Sequence, residues 1–474
     1  MFGELREECG VFGVYTKESA NVSGLAYTAL YALQHRGQES CGIAVNDRGV
    51  INYKRGMGLV NEVFNAENLA VLNHGKIAIG HVRYSTLALN SHHNTQPLVV
   101  RHIKGSMALA YNGSLINSQA LREKYELGGA IFHTSNDAEV IAYAVTEQRL
   151  ICGSIQKSLE KAMQKLKGAY SLIIMSPKKL IAARDPDGIR PLCLGELPDN
   201  AGYVAASESC ALSAVNAKFL RDVLPGEIVV ITKDGIESIR ANCGKKGSLC
   251  VFEYIYFARP DSVIEGVSVH EARIRAGELL ADEHPVDADV VIGVPDSAID
   301  AALGYSRRSG IPYGMGLVKN RYVGRTFIQP TQEMRESSVK IKLSAVGSVV
   351  GGKRVVVIDD SMVRGTTTKI IIKMIREAGA REVHVRLSSP PFLNPCFFGT
   401  DVDSRKSLIA NYKTLAEIRD EIGADSLGYL SIDNVEKVAE GADCGFCSGC
   451  FTGSYPMNVP DEIPRDKFDL KLSQ

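Results

Sequence analysis

The chain has 474 residues, of which 45% are hydrophobic and 23% are charged, as in an ordinary globular protein. A chain of this length is too long to fold around a single hydrophobic core, so two domains are expected. Lysine plus arginine (54) equals aspartate plus glutamate (54), which gives no electrostatic reason to expect nucleic acid or an acidic membrane as a partner. No apolar run approaches the roughly 20 residues of a membrane-spanning helix. We therefore expect a cytoplasmic protein.

Cys9 is the first candidate functional residue in the chain. It is followed by Gly10 and Val11 and preceded by an acidic segment, residues 1–8, that has no apolar signal core. If residues 1–8 are removed, Cys9 gains a free α-amine, which titrates at roughly 7.7–8.0 and can take the proton of the thiol. The alternative is an ordinary buried cysteine on a first strand.

The first half, to about residue 240, alternates β-rich runs with helical patterns. Strands are predicted at 76–80, 106–111 and 169–175, and helices at 137–143 and 155–166. This mixture predicts an α+β sandwich of sheets and helices. The polar, glycine-rich stretch 241–248 is the candidate linker.

The second half has the rhythm of strand, helix, strand. Valine- and isoleucine-rich strands are predicted at 289–294, 354–358 and 382–387, and the first two precede helices at 297–307 and about 367–378. Continuous apolar strands that alternate with helices predict a parallel sheet with both faces covered.

The most specific motif follows the strand at 354–358. That strand ends in Asp359 and Asp360, and a loop of serine, glycine and threonine then leads into a helix. The N–H groups at the helix start favour a phosphate, and the hydroxyls at 366–368 add donors. The two acids would repel a phosphate but suit sugar hydroxyls and Mg²⁺. The spacing of a P-loop is absent, so the pattern favours a phosphoribosyl group over a solvated, capped turn.

Residues 355–369 resemble the phosphoribosyl diphosphate (PRPP) signature of type I phosphoribosyltransferases, and the chain as a whole resembles the amidophosphoribosyltransferase family. The resemblance implies a PRPP site made of Asp359, Asp360, Ser361, Arg364, Gly365, Thr366 and Thr367. It implies that 319–330 form a loop that closes over PRPP, with Lys319 and Arg325 as ligands; the local alternative is a basic surface loop. It also implies that Ser297 binds Mg²⁺ together with Asp359 and Asp360, although Pro-Asp-Ser is equally an ordinary helix start.

Four segments of the first half, 35–40, 81–86, 111–113 and 135–137, are similar to motifs of class II glutamine amidotransferases. The resemblance implies that glutamine binding and oxyanion stabilisation involve Gly37, Arg83, Asn112, Gly113 and Asp137. An arginine can bind the carboxylate of glutamine with two hydrogen bonds, and Asp137 offers a counter-charge to its ammonium. The amide of Asn112 and the N–H of Gly113 suit an oxyanion hole.

The local sequence also permits purely structural interpretations of these residues. Asn112-Gly113 is a common hairpin turn, and Asp137 can simply cap a helix. After residues 83–86 the family usually continues Ala-Gly, whereas this chain has Leu87 and Ala88, so the shape of that loop is expected to differ. The adjacent histidines at 92–93 have no partner that links them to Cys9, and we expect them to be loop residues.

The chain has 11 cysteines, and Cys444, Cys447 and Cys450 share the tight spacing of iron–sulfur and zinc sites. Spacing alone leaves the fourth ligand open, with Cys250 and Cys396 as candidates. One branch of the family carries a [4Fe–4S] cluster, and resemblance to it implies Cys250, Cys396, Cys447 and Cys450 as ligands and Cys444 as a neighbour. Zinc is the alternative occupant. The other cysteines are expected to be inert: Cys41, Cys152, Cys193, Cys210 and Cys243.

The same branch is made with a propeptide, which matches residues 1–8 of this chain. The resemblance further implies an N-terminal-nucleophile hydrolase sandwich of αββα layers at 9–242 and an α/β phosphoribosyltransferase domain with a parallel sheet at 249–456. The remaining residues, 457–474, are predicted to be a C-terminal tail.

The implied reaction uses both halves. Cys9 releases ammonia from glutamine, and the ammonia passes inside the protein to C1 of PRPP, displaces pyrophosphate and gives 5-phosphoribosylamine for purine biosynthesis. The family also implies homotetramers and inhibition by purine nucleotides. A hexosamine-phosphate synthase would instead need a sugar-isomerase second half, which the Asp359-Asp360 motif contradicts. A non-enzymatic iron–sulfur PRPP sensor would not need Cys9 and the glutamine motifs.

Overall fold

The computed structural model describes residues 9–72, 74–84, 92–320, 322, 341–400, 402 and 404–461. Several positions discussed above lie outside the described residues: the segment 1–8, Leu87, Ala88, Arg325 and the tail from 462 onward. The predictions made for them stay predictions.

Twenty-three strands are described within these residues. In chain order they are β1 Gly10–Ala20, β2 Ser40–Asp47, β3 Val50–Met57, β4 Gly75–Arg83, β5 Leu98–His102, β6 Gly105–Leu115, β7 Gly168–Met175, β8 Leu180–Arg184, β9 Cys193–Glu196, β10 Gly202–Ala206, β11 Lys218–Asp222, β12 Ile228–Thr232, β13 Gly235–Ile239, β14 Ser248–Cys250, β15 Val263–Ile264, β16 Val267–Ser268, β17 Val290–Gly293, β18 Leu317–Lys319, β19 Leu343–Ala345, β20 Arg354–Asp359, β21 Glu382–Leu387, β22 Ser426–Tyr429 and β23 Gly445–Cys447.

The α-helices of the described residues alternate with these strands. They are α1 Val22–Ala32, α2 Val60–Val63, α3 Ala66–Leu72, α4 Ser118–Leu127, α5 Asp137–Ile151, α6 Ile155–Met163, α7 Ser209–Ala214, α8 Val269–Glu283, α9 Ile299–Ser309, α10 Gly347–Val350, α11 Thr366–Glu377, α12 Leu415–Ile422, α13 Ile432–Val435 and α14 Gly449–Thr452. A helical turn of π type, Glu253–Phe257, follows β14.

The first half is a sandwich of two sheets covered by helices on both outer faces. The strand orders are β11-β9-β10-β1-β4-β2-β3 and β13-β12-β8-β7-β6-β5. Alternate side chains of a strand point to opposite faces, and in β4 this places Ala78 and Val82 against α1, while Ile79 packs against Ala110 of the other sheet. Helices α4–α6 cover the second sheet. These layers confirm the predicted αββα sandwich.

The second half contains the predicted parallel sheet. Its order is β17-β20-β21-β22, and every neighbouring pair is parallel. The strand predicted at 382–387 matches β21, whereas the helix predicted at 297–307 is found at Ile299–Ser309. The helix begins later because residues 295–298 form the turn at the end of β17, in which Ser297 makes a contact described below.

The predicted linker 241–248 has no regular structure up to Gly247, and β14 begins at Ser248. Cys250 and Val251 then join a core that also includes Ala169 and Ile189 of the first half, so the two halves are packed together. Within the described residues, none of the helices combines the length and hydrophobicity needed to cross a lipid bilayer.

Candidate functional site

Cys9 lies at the entrance to the space between the two sheets. It directly precedes β1, and the alternation of that strand places it on the same face as Val11 and Tyr15, whose side chains fill the core between the sheets. Its Sγ lies 3.6 Å from the carbonyl oxygen of Tyr84, to which the thiol donates. Since Gly10 pairs with Val82 in the ladder between β1 and β4, Cys9 is adjacent to the end of β4.

Arg83 ends β4 on the same inner face, and its backbone is held by the segment after α1. The N–H of Glu39 donates to the carbonyl of Arg83 at 3.1 Å. At Gly37 a Cβ atom would lie 2.6 Å from the carbonyl carbon of Val82 and 2.7 Å from the nitrogen of Arg83. Only glycine lets this segment rest on the backbone of β4, so Gly37 contributes to the position of Arg83.

Asn112 and Gly113 lie within β6, where they pair with Ser171 and Tyr170 of β7. The hairpin-turn alternative is therefore wrong. Asn112 is 2% exposed, and its Nδ2 has no hydrogen-bond partner among the described residues. A buried amide group that lacks a partner costs free energy. Asn112 is thus a donor available to a group that enters the space between the sheets.

Asp137 does not cap its own helix. That role belongs to Asn136, whose side chain accepts from the N–H of Ala138. The carboxylate of Asp137 instead accepts from the hydroxyls of Tyr111 and Ser118 and from the N–H of Leu115. Burial raises the pKa of Asp137, although these hydrogen bonds favour its charged form. A buried carboxylate held by neutral donors is suited to receive a cationic group.

Three of these groups lie near one tyrosine. The pKa of Tyr111 is raised well above its usual value, first by burial and then by the negative charges of Asp137 and of the Cys9 thiolate, while Arg83 acts in the opposite direction. Cys9, Arg83 and Asp137, which are far apart in sequence, therefore lie close enough to influence a single side chain. The arrangement offers a nucleophile, a cation, an anion and a neutral donor in one region of the first half.

A second site lies at the carboxyl end of β20, where ligands bind in open parallel sheets. Asp359 ends the strand, and the next residue, Asp360, is only 8% exposed. The carboxylate of Asp360 accepts hydrogen bonds from the hydroxyls of Ser297 and Ser361. The N-cap of α9 is Ala298, without a side-chain bond. The hydroxyl of Ser297 is therefore directed to the acid pair and does not cap its helix.

The loop after the acid pair leads to the start of α11. Gly365, with φ +74°, precedes the helix, and a side chain there would be strained. Oγ1 of Thr367 is buried without a hydrogen-bond partner among the described residues, so a donor is available beside the free N–H groups of the helix start. Lys319 ends β18 and its Nζ lies 2.8 Å from the carboxylate of Asp296, which brings the start of the predicted closing loop to this site.

Four cysteines line one enclosed, mainly apolar cavity. They are Cys250, Cys396, Cys447 and Cys450, and aromatic side chains such as Phe252 and Phe398 complete the wall. Cys250 and Cys447 face each other at the ends of β14 and β23. Cys444 does not line this cavity; its thiol lies near Glu265 and Arg184, and burial raises its pKa to about 11. The four implied ligands are brought together, and the fifth cysteine is excluded.

Three residues of the glutamine site were given no role from the sequence, although Arg36 and His81 lie in the matched segments 35–40 and 81–86. Arg36 donates from Nε to the carbonyl of Cys9 at 3.1 Å. His81 and Gln96 bind the backbone of Tyr111. The role of His81 could have been suspected, because a residue two positions before Arg83 on a strand lies on the same face of that strand. The roles of Arg36 and Gln96 depend on contacts with other segments of the chain.

Comparison with known proteins agrees with this geometry. The glutamine amidotransferase domain family matches residues 81–214. The amidophosphoribosyltransferase of Bacillus subtilis is 48% identical over 460 residues, which cover 96% of this chain and 95% of that protein. The chain belongs to the amidophosphoribosyltransferase family.

Two solved structures share nearly the whole fold. The glutamine PRPP amidotransferase of B. subtilis, solved in complex with ADP and GMP, has a TM-score of 0.88 at 48% identity and covers 96% of this chain and 99% of its own. A structure described as the allosteric regulatory enzyme of purine biosynthesis has a TM-score of 0.89 at 47% identity, with coverage of 96% and 98%. Both halves of the fold are thus those of this family.

Gly113 allows a direct test of the geometry of β6. At Gly113 (φ +141°) a Cβ would lie 2.0 Å from the carbonyl oxygen of Ala169, whereas at Gly105 (φ +117°) in the same strand it would meet nothing within 4 Å. We expect Gly105→Ala to lower the free energy of unfolding by about 1–2 kcal/mol through backbone strain alone. Gly113→Ala should cost clearly more, because β7 must also move. Urea unfolding of both variants measures the difference, and equal losses would contradict the described register.

Proposed function

We propose that Cys9 is the nucleophile that releases ammonia from glutamine in this chain, and that the site at Asp359 and Asp360 receives it. The reaction of the family is the glutamine-dependent amidation of PRPP to 5-phosphoribosylamine, the first step of purine biosynthesis. The observation that carries the assignment is a chain of contacts that joins the three residues. The thiol of Cys9 donates to the carbonyl of Tyr84, which directly follows Arg83. Asp137 accepts from the hydroxyl of Tyr111, whose backbone carbonyl is bonded by His81 of the strand that ends in Arg83.

The glutamine half of the reaction follows from these positions. Arg83 binds the carboxylate of glutamine and Asp137 its ammonium, which places the side-chain amide beside Cys9. With residues 1–8 removed, the α-amine of Cys9 takes the thiol proton, and the thiolate attacks the amide carbon. The oxyanion is stabilised by Nδ2 of Asn112 and the N–H of Gly113. Ammonia leaves with the transferred proton, and water then hydrolyses the thioester to glutamate and regenerates Cys9.

The second half of the reaction occurs at the end of β20. The hydroxyl groups and N–H groups at the start of α11 bind the 5-phosphate of PRPP, and Asp359 and Asp360 bind the ribose hydroxyls. Ammonia attacks C1, and the C1–O bond to pyrophosphate breaks. Lys319, with Arg325 of the closing loop, contributes positive charge to the leaving pyrophosphate.

Mg²⁺ is the cation that suits this site. Its donor set would be the carboxylates of Asp359 and Asp360 with the hydroxyl of Ser297, all of them hard oxygen ligands. The contact between Ser297 and Asp360 supports this set, since it brings the three side chains to one place. When bound, the ion would offset the charge of pyrophosphate.

We infer that an iron–sulfur cluster occupies the cysteine cavity, with zinc as the alternative. The four thiols line the wall of one mainly apolar cavity, and the branch of the family that the chain resembles carries a [4Fe–4S] cluster. Cys250, Cys396, Cys447 and Cys450 would hold it through their thiolates.

Purine nucleotides are the proposed inhibitors, and a homotetramer is the proposed assembly. The complex of the B. subtilis relative with ADP and GMP supports nucleotide binding in this chain. The homotetramer is inferred from family membership.

Substitution of Cys9 separates the two half-reactions. Cys9→Ala should lower glutamine hydrolysis by about four orders of magnitude or more, because no other thiol lies at the glutamine site. It should leave the amidation of PRPP by added ammonium salt intact. Cys41→Ala, at a buried thiol of the same half whose pKa burial raises to about 12, is the matched control and should keep both activities. Release of ammonia from glutamine by Cys9→Ala would contradict the assignment.

Metal content distinguishes the cluster ligands from their neighbour. Cys447→Ala should lose iron and acid-labile sulfide, because its thiol lines the cavity. Cys444→Ala should retain both, because its thiol lies outside. Iron and sulfide analysis of the purified full-length variants gives the result. Zinc in place of iron in the unsubstituted protein, or loss of iron from Cys444→Ala alone, would refute the ligand set.

A further inference from the structure

Tyr111 precedes the proposed oxyanion donor Asn112. It lies in the part of β6 that is no longer paired with β5. The ladder between β5 and β6 ends at the pair Leu98–Leu109. In antiparallel sheets the N–H and C=O of one residue point to the same neighbour. Beyond Leu109, the next backbone groups that point toward β5 belong to Tyr111, and no strand in the described part of the chain receives them.

Two side chains take the place of the missing strand. The N–H of Tyr111 donates to Oε1 of Gln96 at 2.9 Å, and the carbonyl of Tyr111 lies 3.0 Å from Nε2 of His81. Both residues are fully enclosed, with exposures of 2% for Gln96 and 0% for His81. His81 comes from β4 of the opposite sheet, so this bond crosses the space between the sheets.

The protonation of His81 is fixed by this contact. A carbonyl oxygen only accepts, so Nε2 carries the hydrogen and donates it. Burial lowers the pKa of His81 to about 3, and the positive charge of Arg83 acts in the same direction. The imidazole is therefore neutral at physiological pH and keeps one tautomer.

Tyr111 has a third fixed point, its hydroxyl, which donates to Asp137 at 3.1 Å. With both backbone groups and the hydroxyl held, the peptide that leads into Asn112 has little freedom to rotate. The Nδ2 donor of Asn112 has no other partner among the described residues to orient it. Its position therefore depends on the backbone that His81 and Gln96 hold.

We propose that His81, together with Gln96, is a positioning residue for the oxyanion donor of glutamine hydrolysis. The proposal rests on the proposed function of Asn112. A donor in an oxyanion hole acts only if it is aimed at the developing charge, and a displacement of about 1 Å at a catalytic group can cost about 100-fold in rate. His81 touches neither substrate nor Cys9 in this role and acts through the backbone of Tyr111.

The test compares variants of the full chain in glutamine hydrolysis with saturating PRPP. His81→Leu should lower kcat by about tenfold to 100-fold, with a much smaller change in KM, because Arg83 and Asp137 still bind glutamine. His81→Gln, which places an N–H at nearly the same distance, should recover most of the loss. Ile79→Val, on the same face of β4, is the packing control. Ammonia-dependent amidation of PRPP should be unchanged in all three, which shows that they fold.

Unchanged kcat in His81→Leu, or a loss that His81→Gln does not recover, would overturn the proposal. If His81→Leu does not fold, Gln96→Leu removes the partner of the other Tyr111 group and should give the same loss of kcat.

A double-mutant cycle separates this inference from the proposed function. If His81 acts through Asn112, the variant with both His81→Leu and Asn112→Ala should hydrolyse glutamine no more slowly than Asn112→Ala alone. If the rate losses of the two single variants multiply in the double variant, His81 acts independently of Asn112. That result would overturn the inference and leave Asn112 as the donor. Wild-type kcat in Asn112→Ala would refute the proposed role of Asn112 itself, and the inference with it.

Discussion

A buried arginine joins the nucleophile to both halves of the chain. Arg36 has no solvent exposure, and its Nε donates to the carbonyl of Cys9. Its two terminal nitrogens bind Glu208 at 2.6 Å and both carboxylate oxygens of Glu253 at 2.8 Å. Burial alone would raise the pKa of Glu208, but the charges of His35 and Arg36 hold it below its usual range. Removal of one partner would leave an unpaired buried charge, which makes this network a strict constraint on the fold.

The same network reaches the cysteine cavity. Arg190 lies 3.6 Å from the carboxylate of Glu253 and donates to the carbonyl of Phe398 at 2.7 Å. Phe398 lines the cavity, as does Cys250, which shortly precedes Glu253 in the chain. A second pair, the buried Arg184 with Glu265 at 2.5 Å, also joins the halves. The glutamine site and the cysteine cavity are therefore connected through one network of charged side chains.

Much of the fold follows from the sequence, because its signals are local. The apolar run at 354–358 and the helix that follows match β20 and α11 to within one residue or so, since glycines at 365 and 379 mark the ends of the helix. Asn112 and Asp137 were identified by motif, but their local alternatives were excluded only by the register of β6 and by the capping role of Asn136.

The interface could not be predicted in the same way. Arg36 meets Glu208 and Glu253 at sequence separations of 172 and 217 residues. A single glutamate in a sequence gives no sign of such a distant partner, because charged residues are mostly exposed. The role of His81 likewise depends on where β5 ends, and strand ends are set by tertiary packing.

The most direct measurement is the rate of glutamine hydrolysis by a Glu253→Ala variant of the full chain. Glu253 belongs to the second half, yet its loss should free Arg36 and displace the backbone of Cys9. We expect the rate to fall by about tenfold or more, together with a loss of about 3–5 kcal/mol in the free energy of unfolding. Asp261→Ala, which breaks only the exposed pair with Arg259, should change neither by a comparable amount. A wild-type rate in Glu253→Ala would contradict the claim that the second half holds the nucleophile in place.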